Sequence, residues 1–351
     1  MNQNPMRLLL IGGNGFIGSP LADELCAAGH RVCIFHRGHH ALRGSHPVEE
    51  ILGDRNRLAS SRDRLEEFRP DVIVDLILSS GEQARELVEV AGALAARVTA
   101  LSSMDVYRAW GVLQGVENGP LASLPLTEDS PLRTTRALYS PESLEAMRGT
   151  FNWLDQKYDK ISVEEAILGD AAVSGTILRL PMMYGVQDPL TRFLPITKRI
   201  ADGRSRILLS AEYAAWRGPR GYCDNVAHAI ALAALSDRAA GRIYNVCDEP
   251  CLSELEWRTR IAKQANWGGK FVVLESAEMP KHLVVPGNLK QHVVASSQRI
   301  RNELGYVEPV GSDEAIRRTI AWQQTSLSKM DPRQFDYAAE DAALSRTPDR
   351  G

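Results

Sequence analysis

Short apolar runs alternate with helical patterns along most of the chain, and this alternation is the strongest signal in the sequence. The apolar runs predict buried strands at residues 7–13, 31–38, 49–54, 70–78, 97–107 and 173–185. Between these runs, residues with helical spacing predict helices at 19–29, 82–96 and 151–168. Strands that are apolar nearly throughout and are separated by helices are typical of a parallel sheet with helices on both faces. We therefore predict an α/β fold built on a doubly wound parallel sheet.

Composition and charge narrow the class of protein. Of the 351 residues, 44% are apolar and 24% are charged, which is an ordinary globular balance. The net charge of −3 gives no electrostatic reason to expect nucleic acid or an anionic membrane as a partner. No apolar run reaches the roughly 18 residues of a membrane-spanning helix, and we expect a cytoplasmic protein. Cys247 and Cys251 stand four apart without a histidine cluster, so no metal site is predicted.

The first motif is a glycine-rich turn, IGGNGFIG, at residues 11–18. Its glycines follow a predicted strand directly and open a predicted helix. Small residues at this point allow a tight turn and let the backbone approach a pyrophosphate at a helix N-terminus, which favours anions. A tight strand–helix loop without a ligand could carry the same triplet, but the strand, turn and helix together favour dinucleotide binding. The predicted cofactor contacts in this turn are Gly12, Gly13, Asn14, Gly15, Phe16, Ile17 and Gly18.

The end of the second strand bears on the choice of dinucleotide. An acidic residue here usually holds a free ribose 2′-hydroxyl, but this chain has His36 and Arg37 instead. A guanidinium can pair with a 2′-phosphate, which favours NADP over NAD, although a solvated basic turn would have the same sequence. Asp54 follows the third strand, where it could accept a hydrogen bond from an adenine amino group.

A resemblance to a known family rests on six motifs: GGNGFIG, GDR, VDLIL, LSSMDVY, RLPMMYG and RGYCDNVAHAIALA. They occur in the order seen in extended and atypical short-chain dehydrogenase/reductases, and residues from about 7 to about 325 resemble the NAD-dependent epimerase/dehydratase branch. The resemblance implies a Rossmann domain at 1–181 (plus about 222–248), with a late strand at 241–248 that returns to the sheet. It also implies a smaller, interleaved substrate-binding domain at 182–221 and 249–328. From the sequence itself, residues 329–351 are predicted to form a loosely held C-terminal tail.

The resemblance also implies a function. The expected activity is that of an oxidoreductase or epimerase/dehydratase, and the expected substrate is a sugar nucleotide or a related hydroxylated small molecule. Family members often form homodimers through two helices that flank the sheet, here those predicted at 82–96 and 151–168. Beyond the residues above, the family pattern implies further cofactor contacts at Arg55, Leu76, Ile77, Ser102, Lys160, Pro181 and Met183.

In active members a serine, a tyrosine and a lysine cooperate in proton transfer, and here Ser103 occupies the serine position. Lys160 with Glu164 matches the second half of the Tyr-x-x-x-Lys pattern, but Gln156 stands where the tyrosine belongs. On the predicted helix, Tyr158 lies about 200° further round than Gln156 and so faces away from the expected side.

Three interpretations of this departure stay open. Ser103, Lys160 and Tyr158 could form the catalytic group; Asp105, Tyr107 or Tyr139 could supply the proton instead; or the chain could be a catalytically silent NADP-binding regulator.

Two further segments belong to the prediction. The connection at 108–150 is long and rich in Gly, Pro, Ser and Thr, so we expect a lid that could bring Tyr139 or Arg136 to the cofactor. Basic residues after the sixth strand could hold a diphosphate or form a solvated face. They are Arg192, Arg217 and Arg220.

Overall fold

The computed structural model of the chain describes residues 4–39, 41–94, 96–171, 173–325 and 335–346. The strands are β1 (Arg7–Ile11), β2 (Arg31–His36), β3 (Glu49–Leu52), β4 (Val72–Asp75), β5 (Arg97–Ser103), β6 (Gly175–Leu180), β7 (Met182–Tyr184), β8 (Arg206–Ser210), β9 (Arg220–Tyr222), β10 (Ile243–Asn245) and β11 (Lys270–Leu274). Within the described ranges, seven of them form one sheet in the order β10-β6-β5-β4-β1-β2-β3. Every neighbouring pair in it is parallel.

Helices connect these strands and cover both faces of the sheet. They are α1 (Gly18–Ala27), α2 (Arg62–Phe68), α3 (Gly81–Ala93), α4 (Arg108–Gln114), α5 (Pro141–Thr150), α6 (Lys160–Gly169), α7 (Leu194–Ala201), α8 (Ala211–Ala215), α9 (Cys223–Leu235), α10 (Glu254–Gln264), α11 (Gln298–Leu304), α12 (Ser312–Gln324) and α13 (Tyr337–Ser345). No helix in these ranges combines the length and apolar character that a bilayer span needs.

Strand β1 shows why the central strands are apolar nearly throughout. Leu8 and Leu10 pack on one face of the sheet in a core that includes residues of α1 and α9. Leu9 and Ile11 point to the other face and pack with residues of α3 and α6. Because successive side chains of a strand alternate between faces, a sheet covered on both sides needs apolar residues at every position. The predicted doubly wound α/β fold is confirmed.

The later strands agree with the prediction in part. β10 lies inside the predicted segment 241–248 and pairs with β6, so the expected return to the sheet is confirmed. The single strand predicted at 173–185 is wrong, because it divides at Pro181 into β6 and β7, and β7 pairs with β9 in a separate two-stranded sheet. Proline has no N–H to donate to a ladder, which accounts for the break.

The helix predicted at 151–168 is also wrong at its first half. Helix α5 ends at Thr150, α6 begins at Lys160, and the residues between them are irregular. The side chain of Asp159 caps α6 by accepting from the backbone N–H of Ile161 at 3.1 Å. The backbone N–H of Asp159 donates to the carbonyl of Ser79 at 2.9 Å. The segment before α6 therefore makes hydrogen bonds to a neighbouring loop where a continuous helix would make its own.

Helix α13 corrects the expectation for the last residues of the chain. Part of the predicted tail at 329–351 lies outside the described residues, but 335–346 are described and are held firmly. Glu340 is 1% exposed and accepts from Nε of Arg199 at 3.0 Å, and Leu344 is buried against the β8 region. Here a buried ion pair and an apolar contact attach the helix to the rest of the protein.

Candidate functional site

The glycine turn between β1 and α1 has the geometry of an anion-binding turn. Gly12 has φ +80°, and a Cβ there would lie 2.6 Å from Cγ2 of Ile77. A Cβ on Gly18 would lie 2.5 Å from the carbonyl oxygen of Gly13, so this glycine lets the first turn of the helix pack closely. Gly15 differs from both, because a Cβ there would meet only the Gly12 carbonyl, at 3.6 Å. The outer side of the turn at Gly15 is therefore open to a ligand.

The other predicted residues of this region mostly support the turn. Asn14 donates from Nδ2 to the carbonyl of Ala41 at 2.9 Å. Phe16 and Ile17 are partly buried and pack against the core. The backbone N–H of Leu76 donates to the carbonyl of Ile11 at 3.1 Å, which joins the ends of β1 and β4.

A cleft of about 300 Å³ opens beside the glycine turn. The turn forms one side, the ends of β2 and β3 form a second, and a segment that starts at the last residue of α5 forms a third. Its lining residues are Gly12, Asn14, Gly15, Phe35, His36, Arg37, His39, Gly53, Asp54, Arg55, Asn56, Ile77, Thr150, Asn152 and Trp153.

His36 and Arg37 occupy this cleft in different ways. Nδ1 of His36 accepts from the backbone N–H of Gly38 at 3.3 Å, and its Nε2 lies 2.9 Å from Glu50, so the imidazole is already engaged. Arg37 is exposed and donates to the amide oxygen of Asn152 at 2.6 Å. Within the described ranges, no carboxylate pairs with Arg37, and its positive charge is not cancelled.

Asp54 and Arg55 were both predicted as cofactor contacts, and their surroundings differ. Asp54 is exposed at the cleft and uses one oxygen to accept from the N–H of Asn56 at 3.0 Å. Arg55 is 5% exposed, lies 2.6 Å from Asp75 and donates to the carbonyl of Gln83 at 2.7 Å. These partners fix Arg55 in the protein interior and give it a structural role at the base of the cleft.

A second group of polar side chains lies beyond the end of β5. The hydroxyl of Tyr158 donates to Oδ2 of Asp105 at 2.6 Å, and Tyr139 donates to the same oxygen at 3.4 Å. Oγ of Ser103 accepts from the N–H of Asp105 at 3.1 Å. Oδ1 of Asp105 is buried without a hydrogen-bond partner among the described residues. Burial raises the pKa of the Asp105 carboxyl, and burial together with the neighbouring Asp105 raises the pKa of Tyr158 well above its ordinary value.

Lys160 lies beneath this group. Its ammonium donates to the carbonyl of Leu101 at 3.0 Å and also to that of Leu78, and lies 5.9 Å from the ring centre of Tyr158. Burial lowers the pKa of Lys160 to about 8, against the attraction of Asp105 and Asp75.

The expectation that Tyr158 faces away from the lysine is thus wrong. The 200° argument assumed one continuous helix, but residues 151–159 are irregular, and the chain turns the ring of Tyr158 toward Lys160 and Asp105. Gln156, which stands where the family has tyrosine, is exposed.

The other side chains considered as proton donors divide into two groups. Tyr139 contacts Asp105 through its hydroxyl, at 3.4 Å. Arg136 instead pairs with Glu165 at 2.7 Å on the surface. Tyr107 accepts from buried Arg179 at 2.9 Å and donates to Asn245 at 2.6 Å, which places it in the interior.

The remaining predicted contacts lie along the ends of β5 and β6. The hydroxyl of Ser102 donates to Glu164 at 2.6 Å, inside a buried ion pair between Glu164 and Arg179. Pro181 forms the break after β6. The carbonyl of Met183 accepts from Arg192 at 2.7 Å, and the Met183 side chain belongs to the core.

A second cleft, of about 260 Å³, lies between β7, α7 and α10. Arg220 and Arg258 both pair with the buried Glu254, Arg258 at 2.9 Å, so two cations share one carboxylate. Arg192 lines the same cleft, whereas Arg217 is exposed elsewhere. Aromatic rings of Tyr213 and Trp257 complete the wall.

Sequence analysis missed seven of the lining residues: Phe35, His39, Gly53, Asn56, Thr150, Asn152 and Trp153. Asn152 and Trp153 lie farthest along the chain from the predicted motifs. They follow a helix that the Ser140-Pro141 pair indicates, since serine is a favoured N-cap and proline a favoured first residue. That signal locates α5, but nothing in the local sequence shows that its end reaches β2, more than a hundred positions earlier.

Comparisons with known proteins identify the family of the chain. Residues 8–247 match the model of a family described as the NAD dependent epimerase/dehydratase family. A curated relative, the uncharacterized protein y4nL of Sinorhizobium fredii, is 35% identical over 189 residues, a match that covers 46% of this chain and 52% of the relative. The chain thus spans about half the length of this relative.

Solved structures of similar fold include three enzymes. The Bordetella bronchiseptica enzyme WbmG in complex with NAD has a TM-score of 0.65 and 16% identity, covering 92% of this chain and 96% of that one. The Thermotoga maritima UDP-glucose 4-epimerase with UDP-glucose has a TM-score of 0.65 and 15% identity, covering 92% and 100%. The Bacillus anthracis dTDP-glucose 4,6-dehydratase in complex with NAD has a TM-score of 0.64 and 15% identity, covering 93% and 99%. At these identities the likeness establishes the fold.

Proposed function

Because this chain belongs to the NAD-dependent epimerase/dehydratase family, we propose that it is an NADP-dependent oxidoreductase or epimerase/dehydratase acting on a sugar nucleotide or a related hydroxylated small molecule. One observation carries the proposal. The glycine-turn cleft and the Asp105 group lie at the carboxyl ends of β1, β2 and β5 in one parallel sheet, the edge where open α/β sheets bind ligands.

The residues of the cleft fit a dinucleotide. The open side of Gly15 and the start of α1 suit a pyrophosphate, and Asp54 is placed for an adenine amino group. Arg37 keeps an uncancelled positive charge at the cleft, which suits a 2′-phosphate and supports NADP. When bound, the nicotinamide would accept or donate the hydride of the reaction.

The chain's own residues would then handle protons and orientation. Ser103 would donate a hydrogen bond to a substrate oxygen. Tyr158 has a raised pKa and keeps its proton at neutral pH, so it would act as a proton donor, or pass a proton to Asp105 when the substrate hydroxyl releases one. Lys160 would supply positive charge below the tyrosine.

The second cleft suits the substrate's diphosphate. Glu254 cancels only one of the two charges on Arg220 and Arg258, and Arg192 adds another cation that pairs with Asp188 at 3.1 Å. Guanidinium groups match phosphate oxygens in geometry, and the rings of Tyr213 and Trp257 could pack against a nucleoside base.

A titration with NADPH and NADH, followed by nicotinamide fluorescence, tests the cofactor assignment. We expect NADPH to bind more tightly, and Arg37→Ala to lose that preference, because a charge-assisted bond to the 2′-phosphate is removed. Arg62→Ala, on α2 and paired with Glu66 on the surface, is the matched control. Equal affinities for both dinucleotides would contradict the NADP assignment.

A second candidate function is a catalytically silent NADP-binding regulator. It is favoured by Lys160, whose ammonium is held by two backbone carbonyls, and by the absence of the family tyrosine at Gln156. Oxidation of bound NADPH by carbonyl or sugar-nucleotide substrates separates the two functions. Turnover that Tyr158→Phe abolishes supports the enzyme; tight NADPH binding without turnover supports the regulator.

A further inference from the structure

The third side of the glycine-turn cleft comes from a distant part of the chain. Thr150, Asn152 and Trp153 line it opposite the glycine turn, although Asn152 is 115 positions from its partner Arg37. This segment begins at the last residue of α5. Its Asn152 and Trp153 lie just beyond the connection at 108–150 that sequence analysis identified as unusually long, in the part that was predicted to be helical.

Several contacts hold the segment over the cleft. Asn152 accepts from Arg37 at 2.6 Å, and Arg148 donates from Nε to the carbonyl of Leu154 at 3.2 Å. The Leu154 side chain is buried, and the rings of Phe151 and Trp153 pack 5.7 Å apart. Trp153 itself is only partly buried, so part of its indole remains available at the cleft.

The chemistry of this wall matches the adenosine 2′-phosphate half of a dinucleotide. An indole offers a flat apolar face that can stack on any purine. The amide oxygen of Asn152 orients the guanidinium of Arg37 but carries no charge, so the attraction of Arg37 for a phosphate is kept. A carboxylate in the place of Asn152 would have neutralised the charge of Arg37 and removed that attraction.

We propose that residues 150–153 form an adenosine-binding wall, in which Trp153 contacts the purine and Asn152 holds Arg37 toward the 2′-phosphate. The proposal rests on the proposed function, since it assumes that the cleft takes a nucleotide. It adds a recognition element that lies outside the glycine turn and outside the strand ends that usually build such a cleft.

Calorimetric titration with two half-cofactors, adenosine 2′,5′-bisphosphate and adenosine 5′-diphosphate, tests the wall without the nicotinamide. We expect Trp153→Leu to weaken both probes by about tenfold, and Trp153→Phe to restore most of the affinity, because stacking requires an aromatic face. Asn152→Ala should weaken only the bisphosphate, by about threefold, because only that probe carries the 2′-phosphate.

Protein fluorescence gives a second measurement. Binding of the bisphosphate to the wild type should quench tryptophan emission, and Trp153→Phe should lose that quenching. Trp322→Phe, on the distant helix α12, should retain it and serves as the matched control.

The outcomes separate the two proposals. Wild-type affinity for both probes in Trp153→Leu, or unchanged quenching in Trp153→Phe, would overturn the wall and leave nucleotide binding intact. If neither probe bound the wild type, the proposed function would fail together with the wall. Thermal unfolding verifies that each variant is folded, and the conservative Trp153→Phe keeps the test decisive if Trp153→Leu is unstable.

Discussion

Two buried polar clusters below the edge of the sheet differ in how completely their hydrogen-bonding groups are satisfied. In the Arg179 network, the guanidinium donates to both oxygens of Glu164, to Tyr107 and to the carbonyl of Glu128. In the Asp105 cluster (Asp105, Tyr139, Tyr158 and Lys160), one carboxylate oxygen accepts from two tyrosines. The other has no hydrogen-bond partner in the described parts of the chain.

Under the proposed function, the Arg179 network stabilises the fold and the Asp105 cluster serves proton transfer. A buried charge is tolerated when each of its atoms has a partner, and the Arg179 network meets that condition. An unsatisfied buried oxygen costs stability, and a bound ligand, an ordered water or a catalytic role can account for it. We therefore expect substitutions in the first cluster to affect folding and substitutions in the second to affect chemistry.

The largest effect on stability should follow Glu164→Gln. The substitution leaves the Arg179 guanidinium, 2% exposed, without its counter-charge. Breaking a buried ion pair on one side costs about 3–5 kcal/mol, so we expect a loss of this size in the free energy of unfolding measured with urea.

Glu165→Gln is the matched control for that variant. Glu165 is the next residue on α6, more than half exposed, and pairs with Arg136 at the surface. Exposed pairs contribute at most about 1 kcal/mol. Similar losses in the two variants would contradict the assignment of the Arg179 network to stability.

Lys160→Met should change how stability depends on pH. The folded pKa of Lys160, about 8, is below its ordinary value of 10.5, so between these values the unfolded chain binds more protons and stability rises with pH. From pH 7 to 9.5 the unfolding free energy of the wild type should rise by about 2 kcal/mol relative to the variant.

The exposed Lys157 provides the control for this measurement. It pairs with Glu82, and that pairing raises its pKa, so the unfolding free energy of the wild type relative to Lys157→Met should show no such rise between pH 7 and 9.5. If the unfolding free energies of the wild type and Lys160→Met changed in parallel with pH, the assignment of a lowered pKa to the buried Lys160 ammonium would be contradicted.

The glycine turn and the basic residues at the end of β2 could be predicted from the sequence because their signals are local. The glycine turn, His36 and Arg37 lie within two consecutive strands and one helix, and the same short segment contains both the pattern and the contacts it makes. The parallel sheet follows from apolar runs in the same way, since each strand must be apolar on both faces.

The Asp105 cluster could not be predicted in this way because its geometry depends on distant contacts. The position of Tyr158 depends on the unwinding of residues 151–159, which Ser79 and Ser80 hold through bonds to Asp155 and Asp159. Helical periodicity gave Tyr158 the wrong direction, since it contains no information about the loop after β4. The contact of Trp153 with the cleft was missed for the same reason.

The smallest stability effect, and the sharpest test of the comparison, is expected from Asp105→Asn. Asparagine keeps the shape, its amide oxygen can still accept from Tyr158, and the buried charge is gone, so the unfolding free energy at pH 7 should change by less than about 1 kcal/mol. Because the folded pKa of Asp105 is raised, the folded chain holds its proton to higher pH than the unfolded chain. The wild type should therefore lose stability relative to the variant as the pH rises through that pKa. Asp129→Asn removes a surface carboxylate paired with Arg299 and is the surface control; it should change the unfolding free energy at pH 7 by at most about 1 kcal/mol. If Asp105→Asn lost as much unfolding free energy as Glu164→Gln, Asp105 would be a residue that stabilises the fold. Its unpartnered oxygen would then no longer indicate a site of proton transfer.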